Sequence, residues 1–242
     1  MNSVYTYCCF NQLDHNLTGA KLFKFSHVLH HLRPQKNLGD SDENVDQLAK
    51  QQPILQNCPL FVTWHKNNHL RGCIGTFTSQ PLSIALHKYS LISAMEDPRF
   101  PPIRRSEISE LSVDVSLLYE FEIIYKMLDE TDESSKSNSI KDIYNWEIGK
   151  HGIEIKFLNP LHPNRKCSAT FLPSVAIEQE WDKTTTFKYL FAKGLGTDDI
   201  EDKRVREIMD NKEDYLIKVI RYESMKSSLS YLEYCKLNDD ME

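Results

Sequence analysis

The stretch LFVTWHKNNHLRGCIGTF, Leu60 to Phe77, decides the local fold in the first half of the chain. LFVTW is rich in β-branched and aromatic residues, and LRGCIG continues in the same way, as strands do. Between the two segments, Asn67 and Asn68 tolerate turn conformations that most residues avoid. The sequence therefore predicts a β-hairpin that turns at these asparagines.

Further elements are predicted on both sides of this hairpin. Apolar spacing predicts one or two amphipathic helices before Pro34, a helix in PLSIALHKYSLISAMED and a short helix in SEISEL. Later helices are SVAIEQEW and TTFKYLFAKGLG, the second with Thr184 or Thr185 as N-cap and Gly194 at its end. Strands are predicted in LSVDVSLL, Glu147 to Pro160, Lys166 to Pro173 and Tyr215 to Ser224.

This order of elements predicts an α+β fold with a largely antiparallel sheet flanked by helices. The sequence strand, strand, helix occurs twice, which is compatible with an internal duplication. We expect a helical segment over 1–35 that packs on the main domain, a polar linker over 36–58, a main domain over 59–235 and an acidic tail over 236–242. A second polar loop is expected over 128–142.

Composition points to a globular protein, since 40% of the 242 residues are hydrophobic and 26% are charged. The net charge of −6 and the scattered Lys and Arg residues argue against nucleic-acid binding. We find no signal peptide and no apolar run of transmembrane length, so we expect a cytoplasmic or nuclear protein that does not bind membranes. The six cysteines are expected to be reduced thiols, and no cofactor is predicted.

The LRGCIG segment combines a thiol, a cation and two glycines. Strand alternation sends Leu70, Gly72 and Ile74 to one face and Arg71, Cys73 and Gly75 to the other. Because a cation favours the thiolate, Arg71 would activate Cys73, while the two glycines would leave backbone open to a ligand. The alternative is that Cys73 is a small buried hydrophobe and that the glycines mark a bulge or tight packing.

Other candidates come from histidines and one arginine. His151, in GKHG, could serve Cys73 as a base, although it alternates in phase with core residues. Arg99 lies in the stiff segment DPRFPPI and could bind a ligand or simply face solvent. His27, His30 and His31 have helical spacing, but no acidic or cysteine residue completes a ligand set. We predict no metal site.

The chain resembles the AMMECR domain family. The resemblance runs in order from Leu60 to Tyr234, with a shorter echo, YCCF, near the N-terminus. The segments that carry it are FVTW, LRGCIGTF, EDPRFPPI, VDVSLL, WEIGKHGIEIKF, ATFLPSVAIEQEWD and LSYLEY.

The resemblance implies a compact intracellular α+β protein in which LRGCIG lies beside a cleft and is suspected of being catalytic. Prokaryotic relatives are often encoded with a Memo-like protein and a radical S-adenosylmethionine protein, which implies a role in an enzymatic pathway. Matching positions in this chain are Arg71, Gly72, Cys73, Gly75, Asp97, Arg99, Phe100, His151 and Gly152.

Two functional hypotheses follow. In the first, the protein is an enzyme acting on a small or peptide substrate, with Cys73 as nucleophile or thiolate ligand and His151 as proton carrier. Its substrate-binding residues would be Arg71, Gly72, Gly75, Asp97, Arg99 and Gly152. In the second, the protein is an adaptor or regulator whose glycine-lined cleft holds a partner chain, and Cys73 serves only packing.

Overall fold

The chain forms two compact units. The computed structural model describes residues 3–32, 57–127 and 142–241. The first unit comprises Met1–Leu118 and Met225–Glu242, and the second comprises Tyr119–Ser224. Each unit has its own hydrophobic core.

Two segments expected to be polar loops lie mostly outside the described residues. Of the predicted linker 36–58, only Asn57 and Cys58 are described, and both lie in the first strand. Of the predicted loop 128–142, only Asp142 is described.

Helices and antiparallel strands together confirm the predicted α+β class. The strands are β1 (Asn57–Lys66), β2 (His69–Pro81), β3 (Leu111–Lys126), β4 (His151–Asn159), β5 (His162–Phe171) and β6 (Leu216–Ser230). The helices are α1 (Ser3–Thr18), α2 (Phe25–Leu32), α3 (Leu82–Met95), α4 (Pro173–Glu178), α5 (Lys183–Leu195), α6 (Lys203–Asp210), α7 (Lys212–Tyr215) and α8 (Tyr231–Asp239), and a 3-10 helix spans Arg105–Glu110.

Hydrogen bonding orders the strands β2-β1-β3-β6 in the first unit and β3-β6-β4-β5 in the second, so β3 and β6 contribute residues to both. The pairs β1–β2, β1–β3, β4–β5 and β4–β6 are antiparallel. Strand β2 is therefore an edge strand, with only β1 beside it.

The predicted hairpin turn is present between β1 and β2. Asn67 and Asn68 have φ angles of 49° and 65°, in the left-handed region that asparagine tolerates better than most residues. Lys66 pairs with His69 directly across this turn. The local chemistry of two asparagines therefore sets where the hairpin reverses.

A β-bulge in β2 interrupts the predicted alternation. His65 pairs with Leu70 but Trp64 pairs with Gly72, so Arg71 is an extra residue without a partner in β1. Leu70 is 42% exposed. The prediction that Leu70 shares one face with Gly72 and Ile74 is therefore wrong for Leu70, because the bulge reverses the phase of the strand at this point.

One face of the first unit's sheet packs against helices. Trp64 is fully buried, donates from Nε1 to the Ser90 carbonyl of α3 at 3.0 Å, and meets the Phe10 ring of α1 edge-on at 5.1 Å. Since side chains alternate along β1, Thr63 and His65 lie on the opposite face. That face carries the polar groups described below.

Helix α5 in the second unit begins two or three residues before the predicted N-cap positions and ends two residues after the predicted glycine. Asp182, rather than Thr184 or Thr185, is the N-cap, and its carboxylate accepts from the Thr185 N–H at 2.6 Å. Gly196, with a φ of 74°, ends the helix in place of Gly194. A Cβ at Gly194 would lie 2.6 Å from the Phe157 ring, so that glycine permits close packing instead.

The C-terminal elements are longer than predicted. Strand β6 continues beyond Ser224 to Ser230 and is followed by α8, whose N-cap is Ser230. Residues 236–239 of the predicted acidic tail belong to this helix. In the described part of the chain, no helix has the length and apolar character needed to cross a membrane.

Candidate functional site

Cys73 lies on edge strand β2, directly opposite Thr63 of β1. The Thr63 hydroxyl donates to the Cys73 Sγ atom at 3.1 Å. Cys73 is half-buried rather than enclosed in the core. The thiol is therefore oriented by a hydroxyl and remains partly accessible.

A row of polar side chains extends from Cys73 across the sheet. Thr63 pairs with Asp114 of β3, so the three residues share one face. The Asp114 Oδ2 atom lies 2.7 Å from Lys226 Nζ and 3.6 Å from His65 Nδ1. Asp114 itself is only 8% exposed. A thiol, an imidazole and a buried carboxylate thus occupy one face of the first unit.

The Asp97–Arg99 pair holds the backbone of Cys73. Asp97 Oδ2 accepts from the Cys73 N–H at 2.8 Å, and Arg99 Nη2 donates to the Cys73 carbonyl at 3.2 Å. Arg99 also donates through Nε to Asp97 Oδ1 at 2.9 Å and through Nη2 to Oδ2 at 2.7 Å. The pair replaces the neighbouring strand that an edge strand lacks.

Charge and burial fix the ionisation of this pair. The hydrogen bond from Arg99 holds the pKa of the buried Asp97 carboxyl well below its usual range. The same bond raises the pKa of Arg99, and the negative charge of a Cys73 thiolate would raise it further. The Arg99 side chain is 54% exposed, so it offers a fixed positive charge to solvent next to the backbone of Cys73.

Arg71 is occupied by protein groups. Its guanidinium donates to both carboxylate oxygens of Glu107, at 3.0 and 3.1 Å, and to the carbonyls of Pro101 and Pro102, at 2.7 and 3.3 Å. The hydrogen bond from Arg71 is the main cause that lowers the pKa of Glu107 to about 2, and bonds from the Arg104 N–H and from Lys66 contribute. The geometry assigns Arg71 to anchoring the bulge against the proline segment, in contrast to the predicted role in ligand binding.

Gly72 and Gly75, the two glycines expected to expose backbone, are covered by the protein itself, and so is the candidate Gly152. A Cβ at Gly72 would fall on the carbonyl oxygen of Ser93, and one at Gly75 would meet Phe61 and the Leu60 carbonyl. A Cβ at Gly152 would fall on the ring of Tyr222. Each glycine thus permits close packing within its unit, and the expectation of uncovered backbone at Gly72 and Gly75 is wrong.

His151 lies at the start of β4, opposite Glu223 of β6. Its Nδ1 atom accepts from the Glu147 N–H at 2.9 Å, so in the neutral ring Nε2 carries the hydrogen. Nε2 lies 3.9 Å from Glu223 Oε1. Burial lowers the pKa of His151, and the neighbouring charges of Arg221 and Lys150 lower it further. The neutral imidazole is therefore favoured.

His151 also lines a cavity of about 450 Å³ within the second unit. Arg221 and Glu122 form an ion pair in its wall, with Nη2 and Oε2 2.6 Å apart. The other lining residues are Glu120, Phe121, Glu147, Lys150 and Glu223. This second cluster is polar and contains one aromatic ring.

The predicted site residues therefore fall into two groups. The first unit holds Arg71, Gly72, Cys73, Gly75, Asp97 and Arg99, and the second holds His151 and Gly152. Among the described residues, no group of three or more His, Cys, Asp or Glu side chains could hold a metal ion. His27 and His31 of α2 do lie close together, with ring centroids 4.2 Å apart.

Comparison with known proteins shows the family of this chain. The AMMECR1 family model matches residues 17–209 of the chain. The chain belongs to the AMMECR1 family. An uncharacterized Saccharomyces cerevisiae protein is 39% identical over 236 residues, which cover 91% of this chain and 88% of the relative. An uncharacterized Kluyveromyces lactis protein is 44% identical over 186 residues, covering 75% and 76%.

A solved structure resembles this AMMECR1 family member in fold. The crystal structure of an uncharacterized Pyrococcus horikoshii protein matches with a TM-score of 0.60 and 22% identity, covering 94% of this chain and 90% of that one. At this identity the similarity concerns the fold alone. It agrees with the α+β architecture described above.

Sequence reasoning missed several polar neighbours of Cys73 in this AMMECR1 family chain: Thr63, His65, Asp114 and Lys226. Alternation alone would have placed Thr63 and His65 on the face opposite Trp64. Asp114 was recognisable as a carboxylate inside the apolar strand LSVDVSLL. Its juxtaposition with His65 depends on the β1–β3 register, for which the sequence contains no local signal.

Proposed function

We propose that this AMMECR1 family protein is an enzyme that uses Cys73 as a nucleophile toward a small substrate with an electrophilic carbonyl and an acidic group. One observation carries the proposal. The Cys73 Sγ atom accepts from the Thr63 hydroxyl, and Arg99, whose positive charge is fixed by the buried Asp97, donates to the carbonyl of the same cysteine. A thiolate next to a fixed cation is the reactive form of cysteine.

The proposed reaction is acyl transfer to Cys73. Sγ forms a bond to the carbonyl carbon while the carbonyl π electrons move to oxygen, and Arg99 binds the acidic group of the substrate. The carbonyl then re-forms as the leaving group departs with the proton of the thiol. Water later cleaves the thioester to give an acid and the free thiol, so that the enzyme is regenerated.

His65, oriented by Asp114, is the proposed carrier of that proton. His65 is two residues from Thr63 on the same face, diagonal to Cys73, where side chains on paired strands are roughly 7–8 Å apart. One water or substrate group between the imidazole and Sγ would complete the path. Asp114, 3.6 Å from His65 Nδ1, would orient the ring. His151, the base predicted from the sequence, has no step in this mechanism.

The edge of β2 supports the enzyme over the adaptor. A partner chain adding to this edge would use the N–H and C=O of Cys73, and Asp97 and Arg99 already occupy both. Gly72 and Gly75 offer no open groove, because Ser93 and Phe61 cover them. A cytoplasmic or nuclear location stays a prediction from the sequence.

Two alkylating reagents that differ only in charge test the proposed acid subsite. Iodoacetate carries a carboxylate and iodoacetamide does not, and peptide mass spectrometry measures the rate of each at Cys73 and at the half-buried Cys235. We expect a higher iodoacetate-to-iodoacetamide rate ratio at Cys73 than at Cys235, because Arg99 attracts the carboxylate.

The matched variants are Arg99→Gln and Arg105→Gln, which remove the same charge from the same unit. Arg105 is exposed and serves as the control. Arg99→Gln should lower the ratio at Cys73 about tenfold, whereas Arg105→Gln should leave it unchanged. Equal ratios at Cys73 and Cys235 in the wild-type protein would sink the proposal.

A further inference from the structure

The cavity of the second unit has no role in the Cys73 chemistry. Arg221 and Glu122 in its wall are tightly paired, but the groups around Glu223 are only loosely paired. Lys150 Nζ lies 3.5 Å from Glu223 Oε1, and the Tyr119 hydroxyl lies 3.4 Å from Oε2 of the same carboxylate. Both distances exceed those of strong hydrogen bonds. The Glu223 carboxylate therefore keeps hydrogen-bonding capacity toward the cavity.

His151 directs an N–H group into the same cavity. The side chain is 7% exposed and lines the cavity wall. Its Nδ1 atom is occupied by the Glu147 N–H, so Nε2 is the donor, and the 3.9 Å to Glu223 Oε1 is too long for a direct hydrogen bond. A hydroxyl group fits this gap, because it can accept from Nε2–H and donate to the carboxylate.

The rest of the wall favours a ligand rich in hydroxyl groups. Phe121 is 42% exposed and stacks on Tyr222 with centroids 5.2 Å apart, which fixes an aromatic face that can pack against the C–H groups of a ring. The residues that line the cavity are Glu120, Phe121, Glu122, Glu147, Lys150, His151, Arg221 and Glu223. When His151 is neutral, their four carboxylates and two cations give the cavity wall a net charge of −2. This negative charge disfavours the binding of an acidic ligand.

We propose that this cavity binds a small hydroxyl-rich molecule, of the chemistry of a sugar or an amino sugar, that carries no acidic group. One ligand hydroxyl bridges His151 Nε2 and Glu223 Oε1. The ring packs on Phe121, and the remaining hydroxyls meet the carboxylates and Lys150. The cavity of about 450 Å³ lies in the size range of small-molecule sites. This site is independent of the function proposed for Cys73.

Three sugars that share one ring skeleton test the proposal: D-glucosamine, D-glucose and D-glucuronate, which are positive, neutral and negative. Saturation-transfer NMR on the full chain gives their relative affinities, and amide shift changes locate the site. We expect millimolar binding of glucosamine and glucose, with glucuronate at least tenfold weaker and shift changes centred on His151 and Glu223.

Variants connect binding to the cavity. Phe121→Ala and Glu223→Gln should each weaken glucosamine binding about fivefold to tenfold. Glu201→Gln, which removes an exposed carboxylate of the same unit that does not line the cavity, and Cys73→Ser should bind normally. Thermal melts confirm that each variant is folded.

Three results would overturn the proposal. They are no binding of any of the three sugars at about 10 mM, unchanged affinity in folded Phe121→Ala and Glu223→Gln, and preferential binding of glucuronate. Unreactive Cys73 in the alkylation experiment would refute the proposed enzyme but leave this inference untouched, so the two failures are distinguishable.

Discussion

The surroundings of Cys73 and the cavity of His151 are both rich in charge, but they satisfy it differently. Around Cys73, Arg99 binds Asp97 at 2.7 and 2.9 Å and Arg71 binds Glu107 at 3.0 and 3.1 Å. Around His151, the contacts with Glu223 are 3.5 and 3.9 Å long. The tightly paired charges hold the backbone of Cys73 in place, whereas the loosely paired Glu223 carboxylate keeps hydrogen-bonding capacity for a ligand.

A glycine-to-alanine substitution should lower the unfolding free energy more in the region of Cys73 than in the region of His151. In Gly72→Ala the new Cβ would meet the Ser93 carbonyl, a backbone group of α3 that cannot rotate away. We expect a loss of about 3 kcal/mol in unfolding free energy, measured by urea denaturation. In Gly152→Ala the Cβ would meet the far end of the Tyr222 side chain rather than a backbone group, and the loss should be smaller. The reverse order would contradict the distinction.

Removing the Glu107 carboxylate should reveal the strength of the tight pairing. Because the pKa of Glu107 falls from 4.5 to about 2 on folding, its stabilisation is complete above pH 4.5 and is lost as the pH falls toward 2. We expect Glu107→Gln to lose about 2 kcal/mol at pH 7 and little near pH 2. Urea titrations at both pH values measure this, and a pH-independent difference would refute the ionic explanation.

Glu223→Gln should be far milder, since its contacts are long. We expect a change below about 0.5 kcal/mol at pH 7, measured by the same urea titration. Glu110→Gln, in the first unit and 40% exposed, provides a matched exposed control that should behave alike. A loss of unfolding free energy as large as that of Glu107→Gln would mean that Glu223 stabilises the fold as an ion-pair partner and is not available to bind a ligand.

The titration of His151 is the smallest expected effect. Burial lowers its pKa below 6.5, reinforced by Arg221 and Lys150 and opposed by Glu223 and Glu147. Since the folded pKa is depressed, its contribution to stability is present above pH 6.5 and declines as the pH falls below it. NMR titration of the imidazole should give a midpoint below 6.5; a higher midpoint would show that the carboxylates dominate.

Much of the fold could be predicted because local signals specify it. The asparagine pair gives the hairpin turn, and the apolar spacing with Pro98 gives α3, which spans Leu82–Met95 against a prediction of 81–97. Errors arose where tertiary packing prevailed. The glycine predicted to end α5, Gly194, instead packs on Phe157.

The candidate site was harder to predict because it depends on register. Strict pairing from the Asn67–Asn68 turn would put Gly72 opposite Thr63, but the bulge at Arg71 moves Cys73 into that position. The hydrogen bond between Thr63 and Cys73 exists only because of this shift. Partners such as Glu107 and Asp114, which are distant in the sequence, carry no signal that connects them to LRGCIG.

The pH dependence of Cys73 alkylation by iodoacetamide tests the central claim most directly. If Arg99 and Thr63 stabilise the thiolate, Cys73 should react at pH 7 about tenfold faster than the reference thiol N-acetylcysteine, once its rate is corrected for the partial burial of Cys73. The Arg99→Gln variant should lose this advantage. A rate at pH 7 no greater than that of the reference thiol, with the same pH profile in Arg99→Gln, would contradict a nucleophilic role for Cys73.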